Sequence, residues 1–171
     1  MMPRFDSTRN LLVRAASSED ADATRAIYNH FVETTTVTFD LVPRTLEEQR
    51  SWLANRSGAH AVLVAELDRR VVGFASLSPF KDRPAYSTTV EDSVYVDPNL
   101  HRMGVGRTLL AEIVELARLH GFHSVMARIV GGHDASVALH SALGFETVGV
   151  EREVGRKFGR WLDVIEMQLL L

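Results

Sequence analysis

Two closely spaced glycines, Gly104 and Gly106, lie between a predicted strand and a predicted helix. A helix N-terminus carries unpaired N–H groups and a partial positive charge, so a glycine-rich turn at this place favours anion binding. Without a Cβ atom, both glycines let the backbone approach a phosphate closely, and Arg102 and Arg107 could add charge-assisted contacts. An ordinary helix cap has the same pattern, so the turn alone leaves both interpretations open.

The two common nucleotide-binding motifs do not fit this turn. A dinucleotide-binding fingerprint requires a third small residue at the position where the chain has Leu109. A P-loop requires Gly-Lys-Ser/Thr, whereas residues 106–108 are Gly-Arg-Thr. If the turn binds a phosphate, it therefore binds it in another way.

Three charged residues ahead of the turn could act on a substrate. Glu91 interrupts a β-forming run, where a carboxylate is costly unless it is paired or used, so it is the candidate general base. The alternative is an exposed carboxylate on a strand. Lys81 and Arg83 could pair with a substrate carboxylate, and arginine suits this best because its guanidinium matches two oxygens. The alternative for both is a solvated loop.

Hydrophobic periodicity predicts the elements that would position these residues. Apolar residues at helical spacing indicate a core-facing helix from Gly106 to a point before Gly121. The other predicted helices begin at Ser17 or Ser18, at a capping box on Thr45 and at Ser136, and the predicted strands cover residues 11–15, 61–66, 71–78, 88–96, 123–129, 145–150 and 161–170. After a polar leader at residues 1–9, the order β-α-α-β-β-β-α-β-α-β-β predicts one α+β domain over residues 10–171, with helices on a mixed sheet.

Composition limits the remaining classes of function. A chain of 171 residues with 46% hydrophobic and 24% charged residues is expected to form one globular domain. It has no cysteine, so neither a thiolate nucleophile nor a cysteine-bound metal is available, and we expect no metal. A net charge of −3 without a basic stripe argues against nucleic-acid binding. No long apolar run or signal peptide is visible, so we expect no membrane span and a cytoplasmic location.

The turn belongs to a longer pattern of strand, glycine turn, amphipathic helix, second strand and short helix. The strand reads Val94-Tyr95-Val96-Asp97-Pro98, and the short helix reads Ser136-x-x-Leu139-His140-x-x-Leu143-Gly144-Phe145. In this combination, over about residues 10–170, the chain resembles the Gcn5-related N-acetyltransferase (GNAT) superfamily. That superfamily has the motif Gln/Arg-x-x-Gly-x-Gly/Ala, which Gly104 and Gly106 match, whereas His101 departs from its first position.

The resemblance implies a GNAT-type twisted sheet, mostly antiparallel, of about seven strands with about four helices. It also implies that acetyl-CoA is the co-substrate, that turn N–H groups bind its pyrophosphate, that its pantetheine lies along residues 94–96 between splayed strands, and that acetyl passes directly to an amine. The implied cofactor contacts are Val94, Tyr95, Val96, His101, Arg102, Met103, Gly104, Val105, Gly106, Arg107, His133 and Ser136. His133 replaces the usual asparagine of the pantetheine contact, and Ser136 is either a CoA contact or a helix cap.

Within the superfamily, four further segments resemble the phosphinothricin and methionine sulfoximine/sulfone N-acetyltransferases. They are Ile27-Tyr28-Asn29-His30 with the threonine-rich run after it, Lys81-x-Arg83-x-Ala85-Tyr86, Thr89-Val90-Glu91-x-x-Val94-Tyr95-Val96, and Gly155-x-Lys157-Phe158-Gly159-x-Trp161-x-Asp163. This likeness implies a homodimer that acetylates the α-amino group of a small amino-acid-like substrate. It also implies that Phe39, Lys81, Arg83 and Tyr86 contact that acceptor.

The resemblance also assigns two roles in proton transfer. The glutamate that matches Glu91 is assigned to deprotonating the substrate, directly or through water. His140 occupies the position at which many superfamily members carry a tyrosine that protonates the CoA sulfur, and a buried core histidine is the alternative. Two other functions remain open: a GNAT enzyme for another amine, namely a protein N-terminus, an aminoglycoside or a polyamine, or an acetyl-CoA-binding module without catalysis.

Overall fold

The computed structural model describes residues 11–100 and 103–171. Within them the chain forms seven β-strands and four α-helices, in the order that the sequence predicts. The strands are β1 (Leu11–Ala15), β2 (Val62–Leu67), β3 (Arg70–Pro79), β4 (Thr89–Val96), β5 (Ser124–Val130), β6 (Glu146–Lys157) and β7 (Arg160–Leu170). The helices are α1 (Ala21–Thr34), α2 (Leu46–Ala54), α3 (Val105–Leu119) and α4 (Asp134–Ser141). The predicted leader at residues 1–9, together with His101 and Arg102, lies outside the described residues.

The strands form one sheet in the order β1-β2-β3-β4-β5-β7-β6. Of the described strand pairs, β4 and β5 alone are parallel, and their ladder ends at the pair Glu91–Met126. Beyond that pair β4 continues to Val96 and β5 continues to Val130 without pairing to each other. The two strands therefore diverge and leave a gap in the middle of the sheet, which we call the splay.

Helices cover both faces of the sheet. On one face α3 inserts Leu109, Leu110 and Ile113, which are fully buried in the larger core cluster. On the other face α1 and α2 pack around Val32 and Phe74 in a second cluster. Among the described residues, no helix is long and apolar enough to cross a membrane.

The residues of β4 alternate between these two faces. Val90 and Val94 pack in the α3 cluster, whereas Tyr95 packs in the α1 cluster. Because successive side chains of a strand point to opposite faces, Asp92 lies on the α3 face and Glu91 on the α1 face. Two consecutive carboxylates thus lie on opposite sides of the sheet where the splay begins.

The structure confirms one predicted helix start and corrects another. The Thr45 hydroxyl accepts from the Glu48 N–H at 3.2 Å and the Glu48 carboxylate accepts from the Thr45 N–H at 2.7 Å, so the capping box is present. The interpretation of Ser136 as a helix cap is wrong, because α4 begins at Asp134 and His133 is its N-cap residue. Ser136 lies inside the first turn.

The last hairpin is longer than the sequence predicts. The predicted strand ends at Val150, whereas β6 runs on to Lys157. The turn that follows has positive φ at both central residues, 50° at Phe158 and 73° at Gly159, as suits a tight hairpin. The polar residues 151–153 gave no strand signal because β6 is an edge strand that solvent reaches along much of its length.

Candidate active site

The splay opens into a cavity of about 570 Å³. Its walls come from β4, β5, the first turn of α3 and α4, and the end of α1 adds Phe31. Most of the predicted cofactor contacts line it, namely Val94, Tyr95, Val96, Gly104, Val105, Gly106, Arg107, His133 and Ser136. Met103 packs against the hydrophobic core instead. The structure therefore brings together residues that lie far apart in the sequence.

The turn before α3 has the geometry of an anion site. Gly104 is the N-cap residue, with a left-handed φ of 81°, and a Cβ atom there would meet nothing within 4 Å. The Thr108 N–H bonds to the Gly104 carbonyl at 3.0 Å as the first helical hydrogen bond, so the N–H groups of Val105, Gly106 and Arg107 have no partner within the helix. Together with the partial positive charge of the helix end, these N–H groups suit a phosphate.

Among residues 11–100 and 103–171, no strand pairs with one edge of β4 along the splay. Its ladder to β3 runs the whole way to the pair Gly73–Val96, whereas the ladder to β5 stops at Glu91–Met126. The backbone N–H and C=O groups that point into the splay are therefore free to bind the amide groups of an extended ligand, as an added strand would.

His140 is buried on α4, and both of its ring nitrogens have partners. Nδ1 lies 2.8 Å from the Ser136 carbonyl oxygen and Nε2 lies 3.1 Å from Asp92 Oδ2. A carbonyl oxygen only accepts, so Nδ1 carries a proton, and an ionised Asp92 requires a proton on Nε2 as well. The ring also meets Phe145 edge to face, with centroids 5.0 Å apart. This environment favours the doubly protonated imidazolium.

The protonation of His140 follows from competing effects. Burial alone would lower its pKa, but the hydrogen bond and charge of Asp92, helped by the Ser136 carbonyl, raise the pKa above its ordinary value of 6.5. The folded protein therefore binds this proton more tightly than the unfolded chain does. The resulting stabilisation is complete below about pH 6.5 and is lost as the pH rises through the pKa of the folded state.

Asp92 is a site residue that the sequence analysis missed. It is 5% exposed and lines the cavity, and its Oδ1 has no hydrogen-bond partner among the described residues. A buried carboxylate oxygen without a donor is costly, so a ligand or water in the cavity is expected to bind it. The available signal was strand alternation, because Asp92 occupies the same face as the buried Val90 and Val94.

Glu91 lies on the opposite face of β4, at the last residue pair before the splay. Burial raises the pKa of this carboxyl group, and the positive charge of Arg128 opposes the shift. Arg128 itself forms ion pairs with Glu151 and, at 3.7 Å, with Glu166. A raised pKa makes this carboxylate a stronger base, which suits it to accept a proton.

Three of the four predicted acceptor contacts come together. Lys81, Arg83 and Tyr86 line a depression of about 510 Å³ in the connection between β3 and β4. The Lys81 ammonium lies 4.6 Å from the ring centroid of Phe80 and 5.3 Å from that of Tyr86. Phe39 does not line this depression; it lies after α1, against β6. Within the described residues, no three His, Asp or Glu side chains converge as metal ligands would.

Comparison with known proteins identifies the family. Residues 13–165 match the acetyltransferase (GNAT) domain. The chain is 39% identical over 161 residues to phosphinothricin N-acetyltransferase of Streptomyces coelicolor, and the aligned region covers 92% of this chain and 94% of that protein. It is 37% identical over 161 residues to L-methionine sulfoximine/L-methionine sulfone acetyltransferase of Pseudomonas aeruginosa. That alignment covers 93% of this chain and 94% of the Pseudomonas protein. The chain belongs to the GNAT acetyltransferase family and is an N-acetyltransferase.

Solved structures agree with this assignment. Ribosomal-protein-alanine N-acetyltransferase from Brucella melitensis is 45% identical, with a TM-score of 0.92 over 94% of this chain and 100% of that one. A phosphinothricin acetyltransferase from Sinorhizobium meliloti in complex with acetyl-CoA is 36% identical, with a TM-score of 0.90 over 94% of this chain and 88% of that one. The predicted fold is confirmed, and the co-substrate is acetyl-CoA.

Replacing Asp92 by asparagine is expected to lower the pKa of His140, because it removes the charge that outweighs burial. Histidine NMR titration measures this pKa, with the signal assigned through a His140→Gln variant. In urea denaturation, the stability advantage of the wild type over Asp92→Asn should shrink as the pH rises through the pKa of His140 in the folded protein.

The matched control is Asp134→Asn, which changes an exposed aspartate on α4, the helix that carries His140. It should leave the pKa of His140 unchanged. If Asp92→Asn also left that pKa unchanged, the ion pair between Asp92 and His140 would be excluded.

Proposed function

We propose that the chain transfers acetyl from acetyl-CoA to the α-amino group of a small amino-acid-like acceptor of the phosphinothricin, methionine sulfoximine or methionine sulfone type. The observation that carries the proposal is the splay. Its cavity is lined by the glycine turn, Asp92 and His140, and Glu91 lies on the opposite face of β4, at the residue pair where the splay begins. The relatives named for these acceptors support the choice of substrate. A cytoplasmic location is part of the proposal, since acetyl-CoA is used there.

The residues of the splay fit acetyl-CoA. In this proposal the N–H groups of Val105, Gly106 and Arg107 bind its pyrophosphate, and the unpaired edge of β4 bonds to the amide groups of the pantetheine. Oδ1 of Asp92 is a further acceptor on the cavity wall. His133 and Ser136 line the same cavity and contact the arm in this arrangement.

The proposed reaction removes two protons from the substrate nitrogen. Acetyl-CoA supplies the acetyl group as a thioester. Glu91 accepts the proton of the substrate ammonium, directly or through one water, which leaves a neutral amine as nucleophile. The nitrogen loses a second proton as the amide forms, and the departing thiolate gains one to leave as the CoA thiol. We assign His140 to stabilising that thiolate as a charged imidazolium, since both of its N–H groups already bond to Asp92 and Ser136.

The acceptor side uses the other face of β4. Arg83 and Lys81 pair with an acidic group of the acceptor, with arginine giving the bidentate contact. Tyr86 lies in the same depression. Phe39 lies outside it, in the segment after α1 and against β6, and in this proposal it supplies a separate apolar contact to the acceptor. Both cations belong to the loop that leads into β4. Glu91 is the third residue of that strand, after Thr89 and Val90.

A second candidate acceptor is the N-terminal amine of a protein. The observation that favours it is the 45% identity to the Brucella structure named for ribosomal-protein-alanine acetylation. The depression at Lys81, Asp82 and Arg83 has a net positive charge. It argues for the smaller acceptor, because a free amino acid has an α-carboxylate for these cations, whereas the N-terminal residue of a peptide has a neutral amide in its place.

A free-CoA release assay across acceptors tests the proposal. We expect turnover with phosphinothricin, methionine sulfone and methionine sulfoximine, and at most weak turnover with alanine-initiated peptides, aminoglycosides and polyamines. Preference for the peptides would transfer the assignment to protein N-terminal acetylation, and CoA release with none of them would reject the proposed acceptor class.

Glu91→Gln should lower turnover by roughly 10²- to 10⁴-fold, the usual weight of general base catalysis, while acetyl-CoA binding measured by calorimetry stays near normal. The amide keeps the shape of the side chain but cannot accept the proton. Glu115→Gln on α3, where the carboxylate pairs only with the exposed Arg118 in the described structure, is the control and should retain full turnover. Normal turnover in Glu91→Gln would remove Glu91 from the mechanism.

We also propose that the chain is a homodimer that pairs through β6 and β7. β6 is an edge strand, and this hairpin exposes large apolar side chains: Val148, Val150, Val154, Phe158 and Trp161, each at least half exposed. Such a patch favours association with a second apolar surface.

In sedimentation equilibrium, the wild type should behave as a dimer and Trp161→Glu as a monomer, because the charge would have to be buried. Leu119→Glu, which alters a 75% exposed leucine on α3, is the control and should leave the dimer intact. A monomeric wild type would refute the dimer.

A further inference from the structure

The segment between α1 and α2, residues 36–40, touches several distant parts of the fold, and we call it the strap. At one end the Thr36 hydroxyl lies 3.2 Å from Nε2 of His133, which lines the acetyl-CoA cavity. The next residue, Val37, lines that cavity itself. The strap therefore borders the co-substrate cavity on the α1 side.

The centre of the strap is tied to the final hairpin and to α1. Lys157 of β6 is 3% exposed and its ammonium donates to the Thr38 carbonyl at 2.9 Å. The Tyr28 hydroxyl of α1 lies 2.9 Å from the Thr38 hydroxyl and donates to the Asp40 carboxylate at 2.6 Å. Because a buried ammonium is costly without an acceptor, Lys157 fixes the strap against β6.

Phe39 lies between these two ties, and its ring occupies the space that a side chain at Gly155 would need. A Cβ atom on Gly155 would overlap both Cε2 and Cζ of Phe39, which it would approach more closely than non-bonded carbon atoms do. The backbone of Gly155 is outside the left-handed region, so its need for glycine is one of space. Any larger residue would force the ring to move.

We infer that Gly155 is a specificity-determining residue for the acceptor, because the missing Cβ atom allows the Phe39 ring to pack against β6 and so fixes the position of the ring that the acceptor would contact. The inference rests on the proposed function, in which Phe39 contacts the acceptor. The ring is 40% exposed, so it offers apolar surface to a compact, methyl-bearing group such as that of methionine sulfone. Lys157 supports this arrangement by holding the adjacent Thr38.

β6 provides a matched control in a second glycine, Gly149. Its backbone is also outside the left-handed region, and a Cβ atom there would meet one atom, Oε2 of Glu166, at 3.9 Å. Gly149→Ala therefore makes the same chemical change on the same strand without a clash. The pair separates the effect of the Phe39 ring from the general effect of adding a methyl group to β6.

The experiment is a double-mutant cycle on the full chain. Gly155→Ala and Gly149→Ala are each made in the wild type and in a Phe39→Ala background. Three quantities are measured: KM for methionine sulfone, KM for acetyl-CoA, and the midpoint of thermal unfolding. The thermal midpoint requires no acceptor, so it reports the contact independently of the proposed function.

In the wild-type background, Gly155→Ala should raise the acceptor KM about tenfold, the size expected of an overpacked contact, and leave the KM for acetyl-CoA unchanged. Gly149→Ala should leave both unchanged. In the Phe39→Ala background, Gly155→Ala should have no further effect on the acceptor KM. Gly155→Ala shifts the midpoint of thermal unfolding by some amount in each background. That shift should be about 3 °C less favourable to the folded state in the wild-type background than in the Phe39→Ala background.

Three results would overturn the inference in different ways. Equal thermal effects of Gly155→Ala in both backgrounds would show that the ring does not depend on Gly155. A thermal difference with an unchanged acceptor KM would show that the contact exists but does not set acceptor binding. A wild type that acetylates no amino-acid acceptor would reject the proposed function and the role of Gly155 with it, while the thermal cycle would still report the contact.

Discussion

The divergence of β4 from β5 after the pair Glu91–Met126 is the constraint on which the site depends. Along the splay each strand is paired on its other side, β4 with β3 and β5 with β7, so the sheet remains continuous on both sides of the opening. The connection between the two parallel strands runs through α3, whose first turn therefore lies at the open end of the splay. One topological feature thus supplies the cavity, the unpaired strand edge and the anion-binding turn. An extended ligand with amides and phosphates could fill the cavity, bond to the strand edge through its amides and bind the turn through its phosphates.

Strand alternation divides the chemistry at the closed end of the splay. Glu91 and Asp92 are neighbours in sequence, yet the pleat directs one towards α1 and the other towards α3. Their surroundings then separate their roles. Glu91 is partly buried near the ion pairs of Arg128. Burial raises the pKa of its carboxyl group more than the charge of Arg128 lowers it. Asp92 bonds to His140 and holds a compensated charge on the cavity wall. In the proposed mechanism, their positions on opposite faces of β4 keep the base Glu91 and the imidazolium of His140 apart, so that they do not neutralise each other.

The sequence predicts the elements better than their contacts, for physical reasons. Hydrophobic periodicity and the capping box at Thr45 are local signals, and the element order deduced from them is confirmed. The error at Ser136 arose because serine caps helices by preference, whereas here α4 begins two residues earlier. Asp92 escaped notice because its partner His140 is 48 residues away, and the packing of Phe39 on Gly155 is equally non-local. A single sequence shows which residue types are present but not which distant residues meet.

The same distinction explains why the co-substrate is easier to infer than the acceptor. The proposed acetyl-CoA contacts centre on one contiguous stretch, from β4 through the glycine turn into α3, so their spacing survives in the sequence as a motif. The proposed acceptor side combines the β3–β4 loop, the strap and the final hairpin, whose geometry depends on ties such as that of Lys157 to Thr38. Small changes in any of the three can alter the acceptor without disturbing the motif. Relatives named for phosphinothricin and for a ribosomal-protein alanine share this fold closely, as expected if the acceptor side varies while the splay is retained.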